Sequence, residues 1–146
     1  MEINEELSLK IKEICDEGDV FIELGEYRSA FDNFEEALDL IPTPKESYSV
    51  TAGVMAGLGD VYFKSGSFEQ AKETFSASMY CVGAIGNPYL HLRLGQSQFE
   101  LGNTNKAIDE LARAYMGAGK EIFESDDPKY FDFLTSKLSP PAGGEW

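Results

Sequence analysis

The chain has 146 residues, enough for one domain with a core of ordinary density, and its 42% hydrophobic and 12% aromatic content argues for a folded protein. Twenty-six acids against twelve basic residues leave a formal net charge of −14 and a pI near 4.3, which sets nucleic acid aside as a partner and favours a basic one. No run of about 20 apolar residues is present, and the acidic N-terminus lacks the basic and apolar regions of a leader, so no membrane span and a cytoplasmic location are expected. Cys15 and Cys81 stand in dissimilar contexts, which reads as two reduced, mostly buried helix thiols rather than a disulfide or a metal pair.

In chain order, Asn4 is placed to cap a first helix that Leu7, Ile11 and Ile14 carry toward Phe21 at helical spacing. Gly18 falls inside it, where a partner helix crosses. Gly25-Glu26 makes a turn, and Tyr27 to Leu40 forms a second helix with Ala30, Phe34, Ala37, Leu38 and Ile41 toward the core and Pro42 as its stop. Thr43-Pro44-Lys45-Glu46 has capping-box spacing with Pro at the first helical position, which predicts a long helix from about Pro44 to Lys64. Ser67 to Gln70 repeats that logic for a helix reaching about Val82. After Gly83 to Gly86, Asn87 caps a helix that starts at Pro88 and runs to about Leu101; Asn103 or Thr104 caps the next, which ends at Gly117-Ala118-Gly119. Asp127-Pro128 opens a last amphipathic segment over about 127–138, with Tyr130, Phe131, Leu134 and Leu138, and residues 140–146 read as a flexible tail.

An internal repeat runs through these elements. The Gly-to-Ala interval is the same at Gly25–Ala30, Gly66–Ala71 and Gly102–Ala107, and an apolar residue follows each Ala four positions later; the copies stand 41 and 36 residues apart. In the middle copy Leu58, Gly59, Tyr62, Ala71 and Phe75 read as a small-residue lock, with Gly59 and Ala71 letting two helices approach. On these residues the chain resembles the tetratricopeptide repeat family over roughly Ile11 to Lys120. The first copy has Glu17 in place of the Leu of the Leu-Gly pair but keeps Ala30, Phe34, Ala37 and Pro42, and the third has Gln98 at the Tyr position. Gly86-Asn87-Pro88, His91 to Gln96, Tyr115 to Gly119 and Asp127 to Tyr130 are similar to small stand-alone bacterial repeat proteins. The resemblance implies an all-α, right-handed helical solenoid of three helix-turn-helix hairpins (about 11–44, 52–85 and 88–121) with a C-terminal capping helix, in one domain over 1–139.

No catalytic constellation accompanies this pattern. His91 is the single histidine, without a second one or clustered cysteines for zinc, and reads as a residue at the repeat interface. Gly117-Ala118-Gly119-Lys120 has Glu121 where a phosphate loop needs Ser or Thr, and it follows a helix rather than a strand. Neither an enzyme nor a cofactor nor a metal is expected. The charge distribution says more: residues 1–46 hold fourteen acids and four basic residues, a net of −10, against −1 over 47–101 and −3 over 102–146.

By the resemblance, the inner face of each hairpin's first helix holds a peptide or partner loop. Carried over by position, that face offers Cys15, Asp19, Ile22 and Glu23, then Gly53, Ala56, Asp60, Phe63 and Lys64, then Tyr89, Leu92, Gln96, Phe99 and Glu100. Family members that grip a chaperone's C-terminal acid use Lys, Arg and Asn there, whereas this chain has Cys15, Asp19 and Gly53 at those positions. The expected function is a non-enzymatic protein-binding module whose acids steer, and whose apolar residues bury, a basic or amphipathic protein segment. An inhibitor or immunity protein for a cationic toxin is its specific form, and a homodimer through the nearly neutral central repeat is the alternative. The alternative for several of these apolar positions is contact with the C-terminal helix or tail, with Trp146 and Phe131 as the candidate occupants.

Overall fold

The computed structural model describes residues 2–142 and 144–146; Met1, from the domain expected over 1–139, and Gly143, from the tail expected over 140–146, lie outside the described residues. Among the described residues there are seven α-helices, two short 3-10 turns and no strand. The helices are α1 (Glu5–Glu23), α2 (Tyr27–Leu40), α3 (Val50–Lys64), α4 (Phe68–Ser78), α5 (Pro88–Glu100), α6 (Thr104–Ala118) and α7 (Lys129–Lys137), and the 3-10 turns are Lys45–Ser47 and Lys120–Phe123. Their contacts group into two compact units, Met1–Ile85 and Gly86–Trp146.

In the first unit α1 pairs with α2 and α3 with α4, and α3 also packs on both helices of the first hairpin. The Asn4 side chain accepts from the Leu7 N–H at 2.8 Å, satisfying one orphan donor of α1. The packing turns on aromatic rings seated over glycines. Phe34 of α2 is buried between Gly18 of α1 and Gly57 of α3, where an added Cβ would lie 2.9 Å and 2.2 Å from its ring. Phe75 of α4 sits the same way over Gly59 of α3, at 2.6 Å. Gly25 and Gly66 take positive φ (73° and 84°) in the tight turns between paired helices, a backbone region costly for any other residue.

Between α2 and α3 the chain departs from the long helix predicted from Pro44. Pro44 is extended, with ψ 119°, and α3 begins only at Val50. Lys45 reaches back instead, donating to the carbonyls of Leu38 (2.7 Å) and Ile41 and so satisfying the C-terminal end of α2. Thr51 Oγ1 donates to the Lys45 carbonyl at 2.5 Å, and the Val82 N–H donates to the Glu46 carbonyl at 2.9 Å. These bonds, the last of them from beyond α4, take the place of a local capping box. For the same reason α4 stops at Ser78 rather than near Val82, and Cys81 lies in the turn beyond it, buried but not helical. Ser67 precedes α4 without making a side-chain capping bond.

In the second unit α5 is the central element: every residue from Leu90 to Gln98 is buried. Asn87 caps it, its Oδ1 accepting from the Tyr89 N–H at 3.0 Å, with Pro88 in the first turn. α6 crosses α5 at Gly95, where an added Cβ would stand 2.8 Å from the Leu111 side chain and 3.0 Å from its backbone nitrogen. Gly119, at φ 74°, ends α6. α7 buries Tyr130 and Leu134, and Tyr130 and Phe133 meet Phe99 of α5 edge-on at 5.3 and 5.0 Å between ring centroids.

The glycines of α3 separate packing from propensity. Gly57→Ala is expected to destabilise the protein by about 1–3 kcal/mol, since the added methyl must displace a buried ring. Gly53→Ala, where an added Cβ meets nothing within 4 Å, is expected to stabilise it by about 0.5–1 kcal/mol. Urea denaturation of the two variants beside the parent checks both signs.

Candidate functional site

In the first unit α1 and α3 are in direct contact, and the two runs of residues assigned to an inner face lie on these two helices. Asp19, Glu23 and Lys64 are exposed, and Cys15, Ile22, Ala56, Asp60 and Phe63 are half-buried. Ile22 packs against the cluster of Ala30, Phe34 and Val61, and Cys15 touches both that cluster and the one formed by Ile11, Ala37, Ile41 and Val54. The Phe63 ring meets Phe68 edge-on at 5.3 Å, so part of it is spent on its own hairpin. Gly53 faces open space, and one Asp60 carboxylate oxygen is shielded from solvent.

The electrostatics of α1 run against the stability of the fold. Its last turn carries Glu23 and no basic residue, although the helix dipole favours a cation there. Partial desolvation of its carboxyl, then repulsion from Asp16 and Glu23, pushes Asp19 above its ordinary pKa near 3.8 even though the residue is exposed overall. Burial, then the charges of Asp19 and Asp16, pushes the Cys15 thiol up to about 11, so it is a protonated, inert thiol at neutral pH. Asp16 itself is paired with Lys12 at 2.7 Å on the exposed side of the helix. Sequence reasoning passed over Asp16; the signal was its i,i+3 spacing to Asp19.

The second unit treats its assigned residues differently. Tyr89 is exposed at the edge of α5, while Leu92 and Gln96 are fully buried and offer no surface to a partner. Phe99 is covered by Tyr130 and Phe133, and Glu100 accepts from Lys129 Nζ at 3.0 Å. The C-terminal helix α7 meets this stretch of α5, through Lys129, Tyr130 and Phe133 rather than through Phe131 or the tail residue Trp146. The Trp146 ring packs on Tyr115 and Phe131, at 5.1 and 6.0 Å.

The polar groups of α5 form two internal networks. Arg93 is buried, donates to the Tyr89 hydroxyl (3.1 Å) and Gln96 Oε1 (2.9 Å), and faces Asp126 at 3.5 Å. Gln96 Nε2 has no hydrogen-bond partner among the described residues. His91 Nε2 accepts from the Gly86 N–H at 3.0 Å, which leaves Nδ1 facing Glu110 at 2.5 Å, so both ring nitrogens are occupied by the chain itself. Among the described residues no group of three or more His, Cys, Asp or Glu side chains is arranged to hold a metal ion. No helix there is long and apolar enough to cross a membrane.

Residues 52–80 and 89–119 each match a tetratricopeptide repeat model. The chain is a tetratricopeptide repeat protein. Its fold is that of solved tetratricopeptide solenoids. The Yersinia enterocolitica type III secretion chaperone SycD, solved with a peptide of the translocator YopD, superimposes with a TM-score of 0.69 at 19% identity, over 91% of this chain and 95% of that one. The tetratricopeptide domain of Sgt2 from Aspergillus fumigatus gives 0.68 at 18% identity, over 87% and 76%. The second such domain of human RPAP3, solved with the HSP70 peptide SGPTIEEVD, gives 0.65 at 16% identity, over 89% and 96%. No curated protein matches the chain in sequence.

Because the Asp19 carboxyl titrates higher in the folded chain than in the unfolded one, the fold binds more protons in that window and loses stability as pH rises through it. Asp19→Asn is therefore expected to raise the thermal midpoint at pH 7 and to leave it unchanged at pH 3, where the parent side chain is already protonated. Paired thermal melts at the two pH values test this.

Proposed function

We propose that this tetratricopeptide repeat protein is a non-enzymatic protein-binding module that holds a basic or amphipathic segment of a partner on the α1/α3 face. The observation that carries the reading is the placement of Asp19 and Glu23: they stand near the C-terminal end of α1, against the helix dipole and against each other's charge, with no basic residue in that turn. Acids in such places cost the free protein stability, and an incoming cation recovers that cost. Ile22, Ala56 and Phe63 interleave with them and supply apolar contact for the other face of an amphipathic segment.

The solved relatives with peptides support the general mode, and one of them supports the contrast in charge. The HSP70 peptide bound by the RPAP3 domain ends in two glutamates, a valine and an aspartate. A segment of that composition would meet repulsion from Asp19, Glu23 and Asp60. The specific form of the proposal is an inhibitor that blocks a cationic toxin, for which the net charge of −10 in residues 1–46 provides long-range steering. The second reading is self-association through the central repeat, favoured by the exposed Tyr80 and Val82 beyond α4; a strict monomer by light scattering at micromolar concentration removes it.

A synthetic 15-residue peptide of alternating lysine- and leucine-rich turns is expected to bind with an affinity that falls steeply between 50 and 300 mM salt, by about tenfold or more given the screening of exposed charges. Asp19→Lys combined with Glu23→Lys is expected to abolish most of that affinity while leaving the helical content intact. Affinity that ignores both the salt and the double substitution contradicts the proposal.

A further inference from the structure

A concavity lies in the Gly86–Trp146 unit, between the 3-10 turn Lys120–Phe123 and the start of α7. It has a volume of about 200 Å³, with Phe123, Pro128 and Phe131 as its apolar lining and Lys120, Glu124, Asp126 and Asp132 as its polar groups. The Phe123 and Phe131 rings pack on one another, 5.1 Å apart and inclined at 50°, and line the concavity together with Pro128. Phe123 is buried and held by the turn, and Phe131 is braced from behind by Tyr115 and Trp146. Asp126 is partly committed to Arg93. Glu124 and Asp132 are exposed, and among the described residues their carboxylates make no ion pair.

We propose that this concavity is a socket for an arginine side chain of a partner protein. Three carboxylates, of which Asp126 already faces Arg93, stand against Lys120 and favour a cation, while an apolar occupant would offer Glu124 and Asp132 no polar partner. An anion would face the same three acids. The aromatic lining separates arginine from lysine: a guanidinium is planar and weakly hydrated, stacks on ring faces, and spreads its donors toward carboxylates at the rim, whereas an ammonium is a strongly hydrated point charge. The protein already uses this chemistry inside the unit. The Arg93 guanidinium lies 5.4 Å from the centre of the Tyr89 ring and faces Asp126, a carboxylate that also lines the socket. Asp132, in the first turn of α7, offsets the positive end of that helix and keeps the site favourable to a cation. The socket uses none of the residues of the α1/α3 face, so it stands or falls independently of that reading.

The test titrates the isotopically labelled full chain with Nα-acetyl-L-arginine amide and, separately, with the neutral isostere Nα-acetyl-L-citrulline amide, following backbone amide shifts. Saturable shifts at Phe123, Phe131 and Asp132 are expected with arginine, at least fivefold tighter than with citrulline. Glu124→Gln combined with Asp132→Asn is expected to weaken arginine at least threefold with the spectrum otherwise preserved, because both side chains are exposed, whereas Asp19→Lys with Glu23→Lys leaves it unchanged. Equal response to arginine and citrulline, shifts that do not saturate or fall elsewhere, or full affinity in the Glu124/Asp132 double variant would overturn the proposal.

Discussion

Close seating of a large apolar side chain on a glycine is the contact on which the rest of this protein depends. Phe34 fills the space between Gly18 and Gly57, Phe75 closes over Gly59, and Leu111 does the same over Gly95. A ring seated on backbone on one side and on core side chains on the other makes dispersion contacts over most of its surface and draws the two helices together. Phe34 has a further consequence. Because it meets both α1 and α3, it ties the first hairpin to the second within the unit that carries Asp19, Glu23, Asp60 and Phe63.

With packing assigned to one stripe of each helix, the opposite stripe is free to carry charge that the fold itself does not want. On α1 that freedom is used heavily, with acids against the helix dipole and an aspartate whose ionised form is disfavoured by partial desolvation and by its neighbours. Under the proposed function, stability and binding pull apart at the same residue. In the second unit the corresponding stripe of α5 is consumed internally: α7 covers Phe99 and engages Glu100, and Arg93 and Gln96 satisfy much of each other. The unit turns its unpaired acids outward elsewhere, around Phe123 and Phe131.

What could be read in advance follows the range of the interactions involved. The bounds of α2 and the Asn4 and Asn87 caps came from local residues acting within a turn or two, and the recurrent Gly-to-Ala spacing disclosed the hairpins. The segment from Thr43 to Ser49 departs from its capping-box pattern because Lys45 turns back to the end of α2 and because Val82, from beyond α4, bonds the Glu46 carbonyl. α4 was drawn too long for the same reason. Gly57 was overlooked, since its role lies in contact with a different hairpin. The burial of Leu92 and Gln96 had a sequence signal that went unused: from Pro88 to Phe99 an otherwise acid-rich chain contains no carboxylate at all.

The central claim is that α1 and α3 form the surface a partner reads. Chemical-shift mapping of the labelled chain with the lysine–leucine peptide tests it most directly. The account predicts the largest perturbations at Cys15, Asp19, Ile22 and Glu23 on α1 and at Ala56, Asp60 and Phe63 on α3. Perturbations centred on α4 or α6, with α1 and α3 unmoved, would contradict it.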